Sequence, residues 1–182
     1  QKKDLSIIRE KLDHLDQIAG RILDFGKSRE AFRKNLPLRE ILEEAALLVR
    51  LKLEQSQVAL TINKGLPGLI VFVDKGQIQQ ALLNLILNAL VAMPDGGELT
   101  IEVMEPTDRK VSVLVKDTGQ GIPDAFKDRI FDSFLTARSD GTGLGLTISK
   151  RILRAHDGDL ELLDSGPKGT VFRISLPISQ QV

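Results

Sequence analysis

The sequence predicts an α+β fold: a two-layer sandwich whose helices cover one face of a mixed, mostly antiparallel sheet, with a long helix at the N-terminus. Two observations carry this expectation. Segments with three-four apolar spacing are interspersed with short segments that alternate or run apolar. Several extended segments also come in pairs around short turns, 98–104 with 110–116 and 159–163 with 169–176, as antiparallel neighbours do.

Residues 4–28 read as one helix. Leu5, Ile8, Leu12, Leu15, Ala19 and Ile22 form a stripe that Ile18 and Phe25 widen. A stripe held over about three heptads suggests a helical bundle or coiled-coil dimer; the alternative is a helix lying on its own domain. A polar linker, 27–35, sets it apart. Pro37 opens a second helix, 38–55, since proline suits a first turn. An alternating strand follows at 58–62, a turn at 65–68 and a buried strand at 69–73. Asp74 caps a helix over 76–93 that Pro94, Asp95, Gly96 and Gly97 end. After the strands 98–104 and 110–116 come a helix at 144–156 and a closing hairpin with 165–168 as its loop. The expected domains are 1–30 and 36–182.

A chain of 182 residues buries a sizeable core, and apolar and charged contents of 42% and 27% are ordinary for a globular protein. Lys+Arg and Asp+Glu are balanced at 25 each, so bulk charge favours neither nucleic acid nor an anionic membrane. Without cysteine there are no disulfides and no thiolate metal sites, which fits a cytoplasmic segment. No apolar run approaches the roughly 20 residues of a membrane-spanning helix, and no signal peptide opens the chain. The start at Gln1, mid-pattern and without Met, reads as part of a longer protein, so any membrane attachment is expected outside this chain.

Four motifs carry chemistry. Asn84 and Asn88 stand one turn apart in an otherwise apolar helix and project from one face. Their carbonyl oxygens suit Mg²⁺ beside phosphate oxygens; the plainer reading is a pair of amides bonded to neighbouring backbone. Asp117, at a strand end before Gly119 and Gly121, can accept a hydrogen bond from an exocyclic amine such as that of adenine, or can simply make a tight turn. Gly141-Thr142-Gly143-Leu144-Gly145 leads into a helix whose N–H groups and dipole favour phosphate. It is neither the dinucleotide fingerprint nor a Walker motif. Between the glycine clusters, Phe126, Ile130, Phe131, Phe134 and Leu135 alternate with charged residues in a loop long enough to act as a lid. Arg138 in that loop can reach a terminal phosphate.

In this order the motifs resemble the catalytic domain of sensor histidine kinases, within the GHKL (Bergerat-fold) ATPases, over residues 36–178. Asn84 to Asn88 matches the N box, Asp117 to Gly121 the G1 box, Phe131 to Phe134 the F box, Gly141 to Gly145 the G2 box, and Gly169-Thr170 the closing strand motif. The stretches 88–97 and 131–134 look most like the nitrogen-regulation type. Helix 4–28 resembles the second helix of the dimerisation and phosphotransfer hairpin.

The resemblance implies Mg²⁺ on Asn88 with Asn84 beside it, and ATP framed by Asp117, Gly119, Gly121, Ile122, Phe131, Thr142, Gly143, Leu144, Gly145, Leu146 and Thr170. Arg138 stands for the usual lysine. Asn84, Asn88 and Arg138 would serve catalysis, with Thr170 supporting the Asp117–adenine contact. Two features depart from the family: Val91 stands where a basic residue is common, and no His-Glu phosphoacceptor is present. His14 matches a charged position and His156 a common helix-end position.

The function implied is a two-component histidine kinase that passes the γ-phosphoryl of Mg–ATP to a histidine on a helix outside this chain. It would be a homodimer through the N-terminal helix, with a response-regulator receiver domain as partner. A hydrolytic clamp and a non-catalytic nucleotide sensor are the alternatives. Against the clamp, its relatives carry glutamate where Asn84 stands, and an amide is a poor general base.

Overall fold

The computed structural model describes residues 31–135 and 143–179. The helix expected at 4–28, with its proposed dimer role, lies outside the described residues, as does His14. The elements run β1 (Lys34–Pro37), α1 (Leu38–Gln55), β2 (Val58–Asn63), β3 (Ile70–Val73), α2 (Lys75–Ala92), β4 (Gly97–Val103), β5 (Lys110–Asp117), the single turn α3 (Asp124–Lys127), α4 (Gly145–Ala155), β6 (Asp159–Gly166) and β7 (Gly169–Pro177).

Five strands form one sheet in the order β2-β4-β5-β7-β6, with β2 and β4 parallel and the remaining pairs antiparallel. Period-two alternation sends Leu99, Ile101, Val113, Val115, Phe172 and Ile174 into the core under the helices. Elsewhere along these strands, at alternate positions, Lys116 pairs with Glu102 and Arg173 with Glu161. α1 buries Leu38, Ile41, Leu42, Ala45, Val49 and Leu53, a three-four stripe that explains why it is a helix and which side it turns inward. The mixed, helix-covered α+β sandwich expected from the sequence is the one observed.

Three local features differ from the expectation. Lys34 and Asn35 are not linker: β1 pairs antiparallel with β3, Leu36 opposite Val71. Pro37 ends that strand and occupies the cap position of α1 at φ −63°, rather than sitting in its first turn. The closing hairpin is tighter than expected, because Gly166 pairs with Gly169 and leaves Pro167 and Lys168 as a two-residue turn.

α2 starts where the sequence places it. Asp74 Oδ1 accepts from the Gln77 N–H at 3.1 Å, and its Oδ2 accepts from the Phe32 N–H at 2.9 Å. His156, wholly buried at the end of α4, reaches the same cap. Its Nε2 accepts from the Asp74 N–H at 3.0 Å, and its Nδ1 lies 2.8 Å from the Ile152 carbonyl. An amide only donates and a carbonyl only accepts, so the proton sits on Nδ1. The ring thus ties the end of α4 to the start of α2. Arg33 adds a tie from the incoming chain, donating to Asp157 Oδ2 at 2.8 Å and to the Ala155 carbonyl.

His156→Ala removes the partners of two backbone groups and opens a cavity. The expected loss is about 3 kcal/mol of unfolding free energy, measured by urea denaturation. A loss within the ordinary surface range of about 0.5 kcal/mol contradicts this role.

Candidate functional site

α2 is buried along most of its circumference by Ile78, Ala81, Leu82, Leu85, Ile86, Ala89 and Leu90. Asn84 and Asn88 lie outside that set, half-buried and one turn apart on the remaining strip. Asn84 faces α4: its Nδ2 donates to the Gly145 carbonyl and to Ser149 Oγ, each at 3.2 Å. Asn88 makes no side-chain hydrogen bond among the described residues. The two asparagines therefore differ, one bound to protein and the other offering its amide to the cleft.

One turn beyond Asn88, the end of α2 meets the loop after β5. The Gln120 N–H donates to the Ala92 carbonyl at 3.1 Å, capping the helix. A Cβ on Gly119 would lie 2.6 Å from that of Ala92, so the loop approaches this closely only as glycine. Gly119 thus has the end of α2 as its immediate protein neighbour. Gly121 likewise lies against the Gly166 carbonyl.

Asp117, the last residue of β5, accepts through Oδ1 from the Gly119 N–H at 2.8 Å and the Thr170 N–H at 3.2 Å. Oδ2 makes no hydrogen bond among the described residues. Burial pushes this carboxyl above its ordinary value of 3.8, while the two N–H bonds pull it down and offset only part of the rise. Thr170 contributes its backbone; its hydroxyl is buried 3.1 Å from Ser165 Oγ. Ser165 Oγ also accepts from the Ile122 N–H at 2.8 Å, and the Ser165 carbonyl accepts from Lys127 at 2.6 Å. Ser165, which the sequence reading passed over, thus fixes the outer side of the loop.

The second glycine cluster is described from Gly143. The Phe134 N–H donates to the Gly143 carbonyl at 3.1 Å, so the chain leaves and returns at one point. Both residues have φ +64°, uncommon for a phenylalanine, and a Cβ on Gly143 would sit 2.5 Å from the Phe134 carbonyl carbon. Phe134 is 65% exposed, while Phe126 and Phe131 pack on the core. The Phe131 carbonyl accepts from Thr147 Oγ1 at 2.9 Å, and Lys150 Nζ stands 4.3 Å from the centre of the Phe131 ring.

Among the described residues no side chain caps α4. Leu144 is a core residue, so it can offer a ligand only its backbone; Leu146 packs against the core's edge. Arg138, Gly141 and Thr142 lie outside the described residues. The contacts nevertheless bring two of the described motifs to α2, Asn84 to Gly145 and Ala92 to Gly119 and Gln120, while Asp117 is tied to Thr170 across the sheet.

The family of histidine kinase-, DNA gyrase B- and HSP90-like ATPases matches residues 73–180. This chain belongs to that family. Relatives of this ATPase domain include the signal transduction histidine-protein kinase AtoS of Escherichia coli (strain K12), 29% identical over 97% of this chain and 29% of that protein. Sporulation kinase C of Bacillus subtilis (strain 168) is 32% identical over 98% of this chain and 42% of its own length. This chain therefore spans less than half of either relative. The nucleotide-free catalytic domain of histidine kinase ThkA is 31% identical, with a TM-score of 0.72 over 80% of this chain and 97% of that one. ThkA in complex with the response regulator protein TrrA is 29% identical with a TM-score of 0.81, covering 98% of this chain and 51% of that one. The α+β fold and the homology to sensor histidine kinases thus agree with the order of the motifs.

Asp117 supplies a pH test. Its folded value is raised, so its contribution to stability is complete below the unfolded value near 3.8 and is lost as pH rises through the folded value. Asp117→Asn keeps the Oδ1 acceptor and cannot ionise. Relative to this variant, the parent is expected to lose stability as pH rises from the unfolded value near 3.8 through the raised folded value, measured by urea titration at several pH values. A constant difference contradicts the assignment.

Proposed function

We propose that this domain binds Mg²⁺–ATP in the cleft between α2, the end of β5 and the start of α4, and delivers the γ-phosphoryl to a histidine on a separate helix. The observation that carries this reading is the convergence on α2: Asn84 meets Gly145, Ala92 meets the loop after Asp117, and Asn88 keeps its amide free of the described residues. The named histidine kinases among the relatives point to the same chemistry.

Each residue has a distinct part. Asp117 Oδ2 accepts from the exocyclic amine of adenine, while Oδ1 is held by the Gly119 and Thr170 N–H groups. Ile122 and Phe131 border the base. The start of α4, which no described side chain caps, turns N–H groups and the positive end of its dipole toward the phosphates, with Gly143, Leu144 and Gly145 contributing backbone. Thr142 and Arg138 complete the phosphate side. Asn88 Oδ1 is the protein ligand to the metal, with Asn84 next to it.

The donor set suits magnesium because the amide oxygens of Asn88 and Asn84 are hard ligands; among the described residues no group of three or more His, Cys, Asp or Glu could hold an ion alone. A cation here takes its other ligands from phosphate and water, as Mg²⁺ does. When bound, it neutralises charge between the phosphates. The protein then contributes mainly alignment and electrostatics, as is usual for phosphoryl transfer. Asn84 has no basic group with which to activate water, and its nitrogen is engaged with α4, so transfer is favoured over hydrolysis.

The partners follow from the same reading: a second copy through the N-terminal helix, and a response-regulator receiver domain, the type of protein bound in the ThkA–TrrA complex. Among the described residues no helix is long and apolar enough to cross a membrane. Any membrane attachment is assigned to parts outside this chain, and the domain itself to the cytoplasm.

Two experiments test the proposal. Asn88→Ala should abolish Mg²⁺-dependent nucleotide binding in a calorimeter while leaving the unfolding midpoint nearly unchanged; retained affinity refutes the metal role. Mixing the chain with a phosphoacceptor hairpin and γ-labelled ATP should place label on histidine. Free phosphate instead would favour a hydrolytic clamp, and no turnover a nucleotide sensor.

A further inference from the structure

Ser149 is wholly buried on α4, between core residues Ile148 and Ile152 of the same helix. A hydroxyl in such a place must be paired, and what it pairs with shows what depends on it. Its proton goes to the Gly145 carbonyl at 2.9 Å, with the Ala81 carbonyl a longer alternative at 3.5 Å. Its oxygen then accepts from Asn84 Nδ2 at 3.2 Å. The same nitrogen donates to the Gly145 carbonyl, also at 3.2 Å.

Two acceptors on α4 therefore face one NH₂ group on α2. The ends of an amide are not equivalent: the nitrogen carries two donors and the oxygen only lone pairs. Half a turn of the Asn84 amide would set Oδ1 against the Gly145 carbonyl with no proton between them. The observed sense keeps Nδ2 on α4 and turns Oδ1 away from it. A hard cation can use only that oxygen.

We infer that Ser149 is a positioning residue of this site: with the Gly145 carbonyl it holds the Asn84 amide in the orientation that presents Oδ1 to the metal and phosphates. Ser149 touches neither and acts through Asn84. The inference rests on reading the cleft as a Mg²⁺–nucleotide site, a reading carried by Asn88 and Asp117 independently of Ser149.

The test uses the 182-residue chain as Ser149→Ala, Ser149→Thr, Asn84→Ala and the double variant with both alanines. Titration with a non-hydrolysable ATP analogue is run with Mg²⁺ and again with a chelator. Loss of one hydrogen bond predicts affinity about fivefold weaker for Ser149→Ala with Mg²⁺. No change is expected in the chelator, threonine should restore the parent value, and Ser149→Ala should have no further effect once Asn84 is alanine. In nucleotide-free protein, the side-chain amide resonances of Asn84 should shift in Ser149→Ala and return toward the parent position in Ser149→Thr. Equal losses with and without Mg²⁺, losses that add to those of Asn84→Ala, or unmoved Asn84 resonances would each overturn the inference. A parent chain that binds no nucleotide refutes the reading of the cleft, and the free-protein resonances then decide alone whether Ser149 orients Asn84.

Discussion

α2 is enclosed by apolar neighbours on most sides, and this burial decides where polar groups can stand. An unpaired amide in such surroundings costs roughly 1–3 kcal/mol, so the helix tolerates asparagines only on the strip where a partner or solvent can reach them. Asn84 meets the cost with two acceptors on α4. Asn88 sits one turn further along, beside the loop that follows β5. The cleft is thus a consequence of packing: it forms where the core cannot close over a helix carrying two amides.

The same economy holds at both ends of α4. Its first residue is bonded to Asn84, and its last turn is bonded through His156 and Asp157 to the α2 cap and the incoming chain. Between them, Ile148, Ile152 and Leu153 are packed into the core. α4 is therefore braced at both ends, and the glycine-rich entry to its N-terminus hangs from a fixed support. The Phe134–Gly143 bond brings the departing and returning chain to that support. Across the sheet, Asp117 is held by the neighbouring strand through the Thr170 N–H, so the groups proposed for the base and for the phosphates rest on separate elements. Separate supports suit chemistry that consists mainly of alignment.

Much of this was legible in the sequence, and the reasons differ by element. The helix that follows Pro37 and the Asp74 cap of α2 rest on local signals that need no knowledge of the rest of the chain, and both appear where expected. β1 carried no such signal: Lys34, Asn35, Leu36 and Pro37 form a strand because β3 offers a partner, and that is a tertiary fact. The hairpin turn is tighter than its sequence suggests because Ser165 and Gly166 read as loop until pairing with Thr170 and Gly169 draws them into the ladder. Leu144, expected beside the nucleotide, has a buried side chain because a leucine next to the first turn of an apolar-faced helix goes inward. Ser149 and Ser165 have no periodic signature. The one available hint was a small polar residue at a core-facing position of α4, at three-four spacing from Ile152 and Leu153. The family resemblance supplied the site's logic, and the structure supplied the division of labour between Asn84 and Asn88.

The most direct measurement replaces magnesium with paramagnetic Mn²⁺ and follows the chain by NMR in the presence of a non-hydrolysable ATP analogue. The predicted result is selective broadening centred on the side chains of Asn88 and Asn84 and the backbone of Gly145, with β2 and β6 spared. Broadening centred elsewhere, or none at saturating nucleotide, would contradict the claim that these groups surround one metal–nucleotide site.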